Sequence, residues 1–242
     1  MLPYQVLANF YDNIIKDDSY DKWTNYIVQL VKKYTTKNTG LDVACGSGIV
    51  TLKLKKAGFN VTGIDISNEM LLKAQSSALK EGLNVPFLRQ DMKSLRTFEK
   101  VGFITVINDG LNYVKQADIK KAFNSFNKSL LKGGTLIFDV SSTYKLKTVL
   151  GNNMYGDDNE NLSYIWFNTL NENSVDIAVT LFEKEGDSYR RYEETQTQYI
   201  HNQLDIENAL SSAGFEIVSV TDANGNAVTD TTERILFITK KL

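Results

Sequence analysis

Three carboxylates and two glycines carry the first chemical signal in the chain: Asp42, Gly46, Gly48, Asp65 and Asp91. The octet Leu41-Asp42-Val43-Ala44-Cys45-Gly46-Ser47-Gly48 passes from a short apolar stretch directly into a glycine turn. Such a turn at the carboxyl end of a strand lets the backbone approach a ligand closely and starts a helix over it. Asp65 ends the next predicted strand, about twenty residues on, where a carboxylate can accept from both hydroxyls of a ribose. Asp91 ends the third, beside the same crevice. One acid in such a place reads as a solvated turn residue; three at successive strand ends are hard to explain as packing. A dinucleotide site would want Gly-x-Gly-x-x-Gly or Ala. Here the third position is Thr51, and Asp42 stands four residues before the first glycine. A diphosphate gains little from an adjacent carboxylate, whereas an ammonium group gains a charge-assisted partner. Adenosine joined to an amino acid fits better.

The elements that position these residues follow from periodicity and punctuation. Trp23, Tyr26, Ile27, Leu30, Val31 and Tyr34 recur at three- and four-residue steps, one face of a helix. Residues 40–44 form a short strand. A helix over 49–57 stops at Gly58, and a second strand covers 60–64. Ser67 is suited to cap a helix over 68–81 that Gly82 closes. Strands are predicted over 85–89, 102–107 and 135–140, with a helix over 118–131 and a turn at Gly133-Gly134. Strand and helix alternating five times predicts a parallel sheet wound with helices on both faces. Between 143 and 202 the rhythm breaks into β-like runs at 164–170, 175–183 and 189–200, with turns between them. These predict an antiparallel insertion. A helix over 204–213 and two strands, 215–221 and 234–239, close the chain; nothing helical separates that last pair, so it can be antiparallel.

Composition narrows the class. The chain has 242 residues, enough to bury a full core, with 42% hydrophobic and 23% charged residues and a net charge of −2. No basic stripe suggests a phosphate-backbone partner, so nucleic acid is not expected. The N-terminus lacks a charged leader with an apolar segment, and the apolar runs are too short for a bilayer; a cytoplasmic protein with no membrane partner is expected. Cys45 is the single cysteine and His201 the single histidine, so neither a disulfide nor a metal cage is expected.

The octet at 41–48 resembles motif I of the class I S-adenosylmethionine-dependent methyltransferases. The later segments resemble the same family in order: Val61-Thr62-Gly63-Ile64-Asp65-Ile66-Ser67 with Met70, Gln90-Asp91-Met92, and Leu130 to Leu136. The similarity is strong over 40–141 and loose over 203–240. It implies an α/β fold, a Rossmann-like doubly wound seven-stranded sheet with the last strand antiparallel, here carrying the antiparallel β insertion. The implied organisation is an N-terminal helical lid over 1–37, a core over 38–142 and 203–242, and an insertion over 143–202 covering the acceptor site. Phe10-Tyr11-Asp12, Trp23 and the late insertion look like the small-molecule branch, which includes amino-sugar N-methyltransferases.

The resemblance also implies roles. Asp42, Ala44 and the Gly46–Gly48 backbone would hold the methionine part of S-adenosylmethionine, Asp42 directly or through water. Asp65 would take the ribose diol, with Ile66 against one adenine face and Met70 nearby. Asp91 would accept from the adenine amino group and Met92 N–H would donate to the ring. Asn108 would sit beside the sulfonium, and Tyr11 and Trp23 would close over the cofactor. Methyl transfer from a cationic sulfur is a direct displacement, so the protein must supply in-line placement and exclude water. A base is needed only if the acceptor arrives protonated. Related amine methyltransferases may place a histidine after the fourth strand; this chain has Asn108-Asp109-Gly110-Leu111-Asn112-Tyr113 there. Asn108, Asp109, Asn112 and Tyr113 are therefore the catalytic candidates, set against an ordinary role in caps and loops.

Other residues read as structural. Cys45 is expected as a small buried filler, His201 as a surface or strand-packing residue, and Asp157-Asp158-Asn159-Glu160 as a solvated loop. The expected activity is methyl transfer to nitrogen or oxygen of a small-molecule acceptor. The alternatives are an RNA, DNA or protein methyltransferase on the same core, or a non-catalytic S-adenosylmethionine-binding protein. Against amino methylation of nucleic acid, Ile107-Asn108-Asp109-Gly110 lacks the Asn/Asp-Pro-Pro-aromatic pattern that clamps a flipped base.

Overall fold

The apolar runs that alternate with helices over the first 141 residues form five parallel strands. They are β1 (Thr39–Val43), β2 (Asn60–Asp65), β3 (Phe87–Arg89), β4 (Val101–Val106) and β5 (Leu130–Ser141). The computed structural model describes Tyr4, residues 6–10 and residues 18–242. Helices α1 (Asp18–Tyr34), α2 (Ile49–Lys56), α3 (Asn68–Lys80) and α4 (Ile119–Ser129) precede or link these strands. An insertion of four strands follows: β6 (Met154–Asp158), β7 (Leu162–Leu170), β8 (Ser174–Glu185) and β9 (Ser188–Tyr199). Helix α5 (Gln203–Ser212) and strands β10 (Phe215–Asp222) and β11 (Arg234–Lys241) complete the chain. The main sheet has the order β10-β11-β5-β4-β1-β2-β3, and β11 runs antiparallel to both of its neighbours. The insertion forms its own antiparallel sheet, β6-β7-β8-β9.

Central strands buried on both faces account for the continuous apolar runs. Residues 40–43 of β1 are all buried, and Phe103, Ile104 and Val106 of β4 are fully so. Gly40 is a packing requirement: a Cβ there would lie 2.1 Å from the Phe103 ring. Phe138 of β5 and Phe237 of β11 stack across the antiparallel pair with ring centroids 4.8 Å apart. Burial of each such side chain contributes about 1.5–3 kcal/mol.

Several expected boundaries move. The third strand starts at Phe87 because Pro86 lacks an N–H, and its carbonyl accepts from Gly63 instead. The expected turn at Gly133-Gly134 is an irregularity within β5: the register to β4 passes from Val101–Leu130 to Phe103–Thr135, leaving 131–134 without a partner in the ladder, with Gly133 at φ 72°. The acidic segment expected as a loop contributes Asp157 and Asp158 to the edge strand β6; both are exposed. The region expected as a lid over 1–37 is divided. Helix α1 is part of the core, with Ile27 and Val31 fully buried among Leu54, Phe103 and Leu236. Ser19 and Tyr20 of its first turn, with Tyr4 and Leu7, face the cavities described below.

Alternation along the insertion strands points one face inward. Register aligns Trp166 with Val179 and Glu194, and Asn168 with Ile177 and Gln196. That face is polar where β9 contributes Glu194, Gln196 and Gln198, all buried.

Candidate active site

At the carboxyl ends of β1, β2 and β3 the chain leaves a crevice of about 290 Å³, lined by Asp42, Ala44, Gly46, Asp65, Ile66, Met70, Asp91 and Met92 among others. Parallel pairing brings these acids together: Asp42 stands opposite Gly63, one turn of pleat before the strand end at Asp65. Asp42 is at the floor, 1% exposed. Its two oxygens accept from Thr51 Oγ1 at 2.5 Å and Thr105 Oγ1 at 2.8 Å. Burial nonetheless pushes its pKa up to about 6. Asp65 accepts from the N–H groups of Gly46 and Ser67, both at 2.9 Å, and burial raises its pKa as well. Asp91 accepts from Lys93 N–H at 2.9 Å and lies 3.5 Å from Lys93 Nζ.

The glycine turn is open to a ligand. Gly46 has φ +54°, and a Cβ built on it meets nothing within 4 Å. Gly48 instead serves the fold: it caps α2 at φ +85°, its Cβ direction is blocked by Ala74 at 2.9 Å, and it does not line the crevice. Ser67 caps α3 as expected, accepting from Met70 N–H at 3.2 Å. Cys45 is half-buried at the wall, not fully buried, and its thiol is pushed well up by desolvation, so it stays protonated. A ligand fitting this crevice must offer hydroxyl or amino donors to its acids and tolerate an anionic floor.

Past β4 the chain makes an unusual turn: Asn108 and Asp109 are both non-glycine residues with positive φ, 63° and 51°. Asp139 of β5 over-determines that conformation, accepting from Asn108 N–H at 2.7 Å and Asp109 N–H at 3.1 Å. Asp139 is completely buried and forms an ion pair with Arg234, whose other guanidinium nitrogen lies 3.4 Å from Asp109. Register makes this possible, since Arg234 pairs with Ser141 and Leu236 with Asp139 on adjacent antiparallel strands. The Arg234 guanidinium also sits 5.5 Å over the Trp23 ring.

A second cavity, about 860 Å³, opens between the main sheet and the insertion. Its walls come from α1 (Lys22, Trp23), the 108–113 turn, β7 and β8 (Trp166, Asn168, Ile177), β9 (Gln196, Gln198) and Arg234. Four residues line both cavities: Tyr4, Tyr20, Asn108 and Tyr113. Asn108 donates to Tyr20 Oη at 2.6 Å and accepts from Trp23 Nε1 at 3.0 Å. Tyr113 donates to Gln196 Oε1 at 2.9 Å and its hydroxyl is 2.9 Å from that of Tyr4. Burial raises the phenol pKa of both Tyr20 and Tyr113, so they remain protonated and act as neutral hydrogen-bonding groups.

The expected site residues sort by position. Asp42, Ala44, Gly46, Asp65, Ile66, Met70, Asp91, Met92 and Asn108 share the crevice. Asp109 and Trp23 line the larger cavity, and Tyr113 lines both. Asn112 lines neither: it is fully buried, donating to the carbonyls of Ser141 and Tyr199 and accepting from Ser141 N–H. It is a brace for the turn. His201 is also buried, not superficial; Nε2 lies 3.2 Å from the Leu111 carbonyl, and desolvation lowers its pKa. Tyr11 lies outside the described residues.

Residues missed from sequence are Tyr4, Tyr20, Asp139, Glu194, Gln196, Gln198 and Arg234. Two signals were available. Asp139 interrupts the apolar run Leu136-Ile137-Phe138, and Glu194, Gln196 and Gln198 share one face at period two.

With the geometry in place, comparison with known proteins adds a second line. The Methyltransferase domain family matches residues 41–134. The protein named "Putative methyltransferase YqeM" of Bacillus subtilis is 34% identical, covering 98% of this chain and 97% of its own. A crystal structure of a S-adenosylmethionine-dependent methyltransferase from Clostridium acetobutylicum superposes with a TM-score of 0.88 at 31% identity, covering 98% of each chain. CalS10 of Micromonospora echinaspora, an amino pentose methyltransferase with bound S-adenosylmethionine, shares the fold at TM-score 0.78 and 17% identity, over 100% of this chain and 99% of its own.

Proposed function

The chain belongs to the S-adenosylmethionine-dependent methyltransferases, and on that footing we propose that it methylates a nitrogen of a small molecule held in the 860 Å³ cavity. The observation that carries this reading is the junction. The larger cavity meets the acidic crevice at Tyr4, Tyr20, Asn108 and Tyr113, the four described residues that line both.

The crevice fits the cofactor on its own features. Its floor and walls hold Asp42, Asp65 and Asp91 against one cation, Lys93, which suits a ligand with an ammonium and a sulfonium. The empty space beside the Gly46 Cα admits a close ligand contact that any side chain would fill. In this reading Asp65 takes a ribose diol, Asp91 and Met92 the adenine edge, and Asp42 with the Gly46 turn the amino-acid tail. S-adenosylmethionine, when bound, supplies an activated methyl group on a cationic sulfur.

The chain's own residues then have three tasks. They seat the acceptor, keep water out and accommodate the proton it loses. Asn108, fixed by Tyr20, Trp23 and the Asp139 carboxylate, sets the shape of the passage. Tyr113 and Gln198 present hydrogen-bonding groups to the acceptor side. At the junction the tyrosines are protonated, and among the described residues lining the larger cavity Asp109 is the one carboxylate. An alcohol must lose its proton to attack, which a carboxylate is too weak a base to take, whereas a neutral amine attacks with its own lone pair and the carboxylate stands beside the ammonium product as its ion-pair partner. Nitrogen is therefore favoured over oxygen. The sugar N-methyltransferase KedS8 and CalS10 share this fold, which supports testing amine-bearing sugars first.

The experiment is release of S-adenosylhomocysteine from purified protein against a panel of aminosugars, other small amines, phenols and alcohols. Turnover confined to amines, and weakened tenfold or more in Asp109→Asn, is expected. Turnover of phenols alone, or tight low-salt binding of RNA in a gel shift, would overturn it.

A further inference from the structure

One buried carboxylate ties the backbone of the described N-terminal residues to the insertion. Glu194 of β9, only 5% exposed, accepts three backbone N–H groups from residues nearly two hundred positions away. Tyr4 N–H donates to Oε1 at 2.6 Å; Val6 and Leu7 donate to Oε2 at 2.7 and 2.9 Å. Gln196 Nε2 adds a fourth donor to Oε1 at 2.8 Å. A carboxylate with both oxygens so engaged is a strong clamp, since hydrogen bonds to an ionised acceptor are about twice as strong as neutral ones. Leu7 and Phe10 extend the contact by packing on Val179 and Leu181 of the same sheet.

What the clamp holds lies at the centre of the site. Tyr4 lines both cavities. Its carbonyl accepts from Ser67 Oγ at 3.0 Å, at the rim just past Asp65, and its hydroxyl meets Tyr113 at 2.9 Å. Its φ of 59° is a left-handed conformation that a tyrosine adopts only when its surroundings enforce it. The strap therefore runs from the rim of the acidic crevice to the acceptor sheet, and one buried carboxylate fixes its position.

We propose that Glu194 is a positioning residue for methyl transfer, clamping the N-terminal strap so that Tyr4 closes the crevice and bounds the passage to the acceptor. The inference rests on the methyltransferase reading of the crevice but not on the identity of the acceptor. Glu194→Gln puts an NH₂ where two N–H donors now point, so it opposes the strap as well as removing charge. Val6→Pro removes one of the donated protons from the other side and leaves the insertion intact.

The test measures dissociation of S-adenosylhomocysteine by rapid mixing with excess S-adenosylmethionine, together with amide exchange over residues 4–10. In both variants release is expected to accelerate about tenfold or more. In Glu194→Gln protection is lost at Tyr4 or at Val6 and Leu7, according to which oxygen the NH₂ replaces, and in Val6→Pro it is lost at Tyr4 and Leu7. Thr195→Ala, on the exposed face of the same strand, leaves both readouts unchanged. Retained protection in Glu194→Gln, or unchanged release with the amides exposed, overturns the assignment. If the wild-type protein binds no S-adenosylhomocysteine, the crevice reading falls and this inference with it. If binding is normal but no amine is methylated, only the acceptor reading falls.

Discussion

The two cavities differ in how much of the chain builds them. The smaller takes most of its wall from residues 42–50, 65–70 and 90–93, three loops that follow consecutive parallel strands. The larger draws on residues from Tyr4 to Arg234, with contributions from α1, the 108–113 turn, the insertion and β11. Their charges differ too. Carboxylates dominate the crevice, whereas Lys22, Lys145 and Arg234 face the larger cavity with Asp109 as counter-charge. A binding site made of strand-end loops inherits its geometry from the sheet and can be local in sequence. A pocket closed by an inserted sheet has to be assembled from parts that meet only after folding.

The largest expected effect breaks the second region while leaving the residues of the first in place. Arg234→Ala leaves the completely buried Asp139 without its cation, an uncompensated charge costing about 3–5 kcal/mol. Thermal unfolding should show a drop of many degrees, and a variant as stable as wild type would contradict the ion-pair assignment. The converse change is Asp65→Ala, expected to weaken S-adenosylmethionine binding about tenfold to a hundredfold. Calorimetry giving unchanged affinity in folded protein would remove the ribose assignment.

A pH series sharpens the contrast further. Asp42 has a folded pKa of about 6, above its ordinary 3.8, because burial disfavours the anion. The folded chain therefore holds a proton that the unfolded chain has lost between those values. This group's contribution to stability falls as pH rises from 3.8 to 6 and is level beyond. Cofactor binding moves the opposite way, since the ionised form is the one an ammonium group prefers. Affinity should be up to about tenfold weaker at pH 5 than at pH 7.5, with proton release on binding at pH 5 to 6 visible in buffers of different ionisation enthalpy. Asp42→Asn should flatten most of that dependence, Asp65 supplying the remainder in the same direction. A profile as steep in Asp42→Asn as in wild type would assign the titration elsewhere.

Legibility followed the same division. Asp42, Asp65 and Asp91 could be placed at strand ends because apolar runs, glycines and caps are local signals, and Ser67 caps α3 where its type and spacing suggested. Gly133-Gly134 interrupts β5 as its punctuation suggested, since both β4 and β11 pair regularly with β5 only from Thr135 onward; what local signals missed is the isolated pair Val101–Leu130 before it. Asn112 and His201 show the limit for single residues. Both are polar, lie near the site in sequence or expectation, and turn out to be braces whose hydrogen bonds are spent on backbone carbonyls.

The chain by itself determined the doubly wound sheet, the antiparallel closing strand, the acidic crevice and the presence of an inserted β layer. Each of these rests on periodicity, turn chemistry or spacing within a few dozen residues. Only the tertiary structure decided which polar residues face a shared cavity. The Asp139–Arg234–Asp109 cluster depends on cross-strand register over 95 and 125 residues, and the Glu194 clamp spans 190. Such partners are chosen by desolvation: once buried, a charge must be met by whichever group the fold brings within reach.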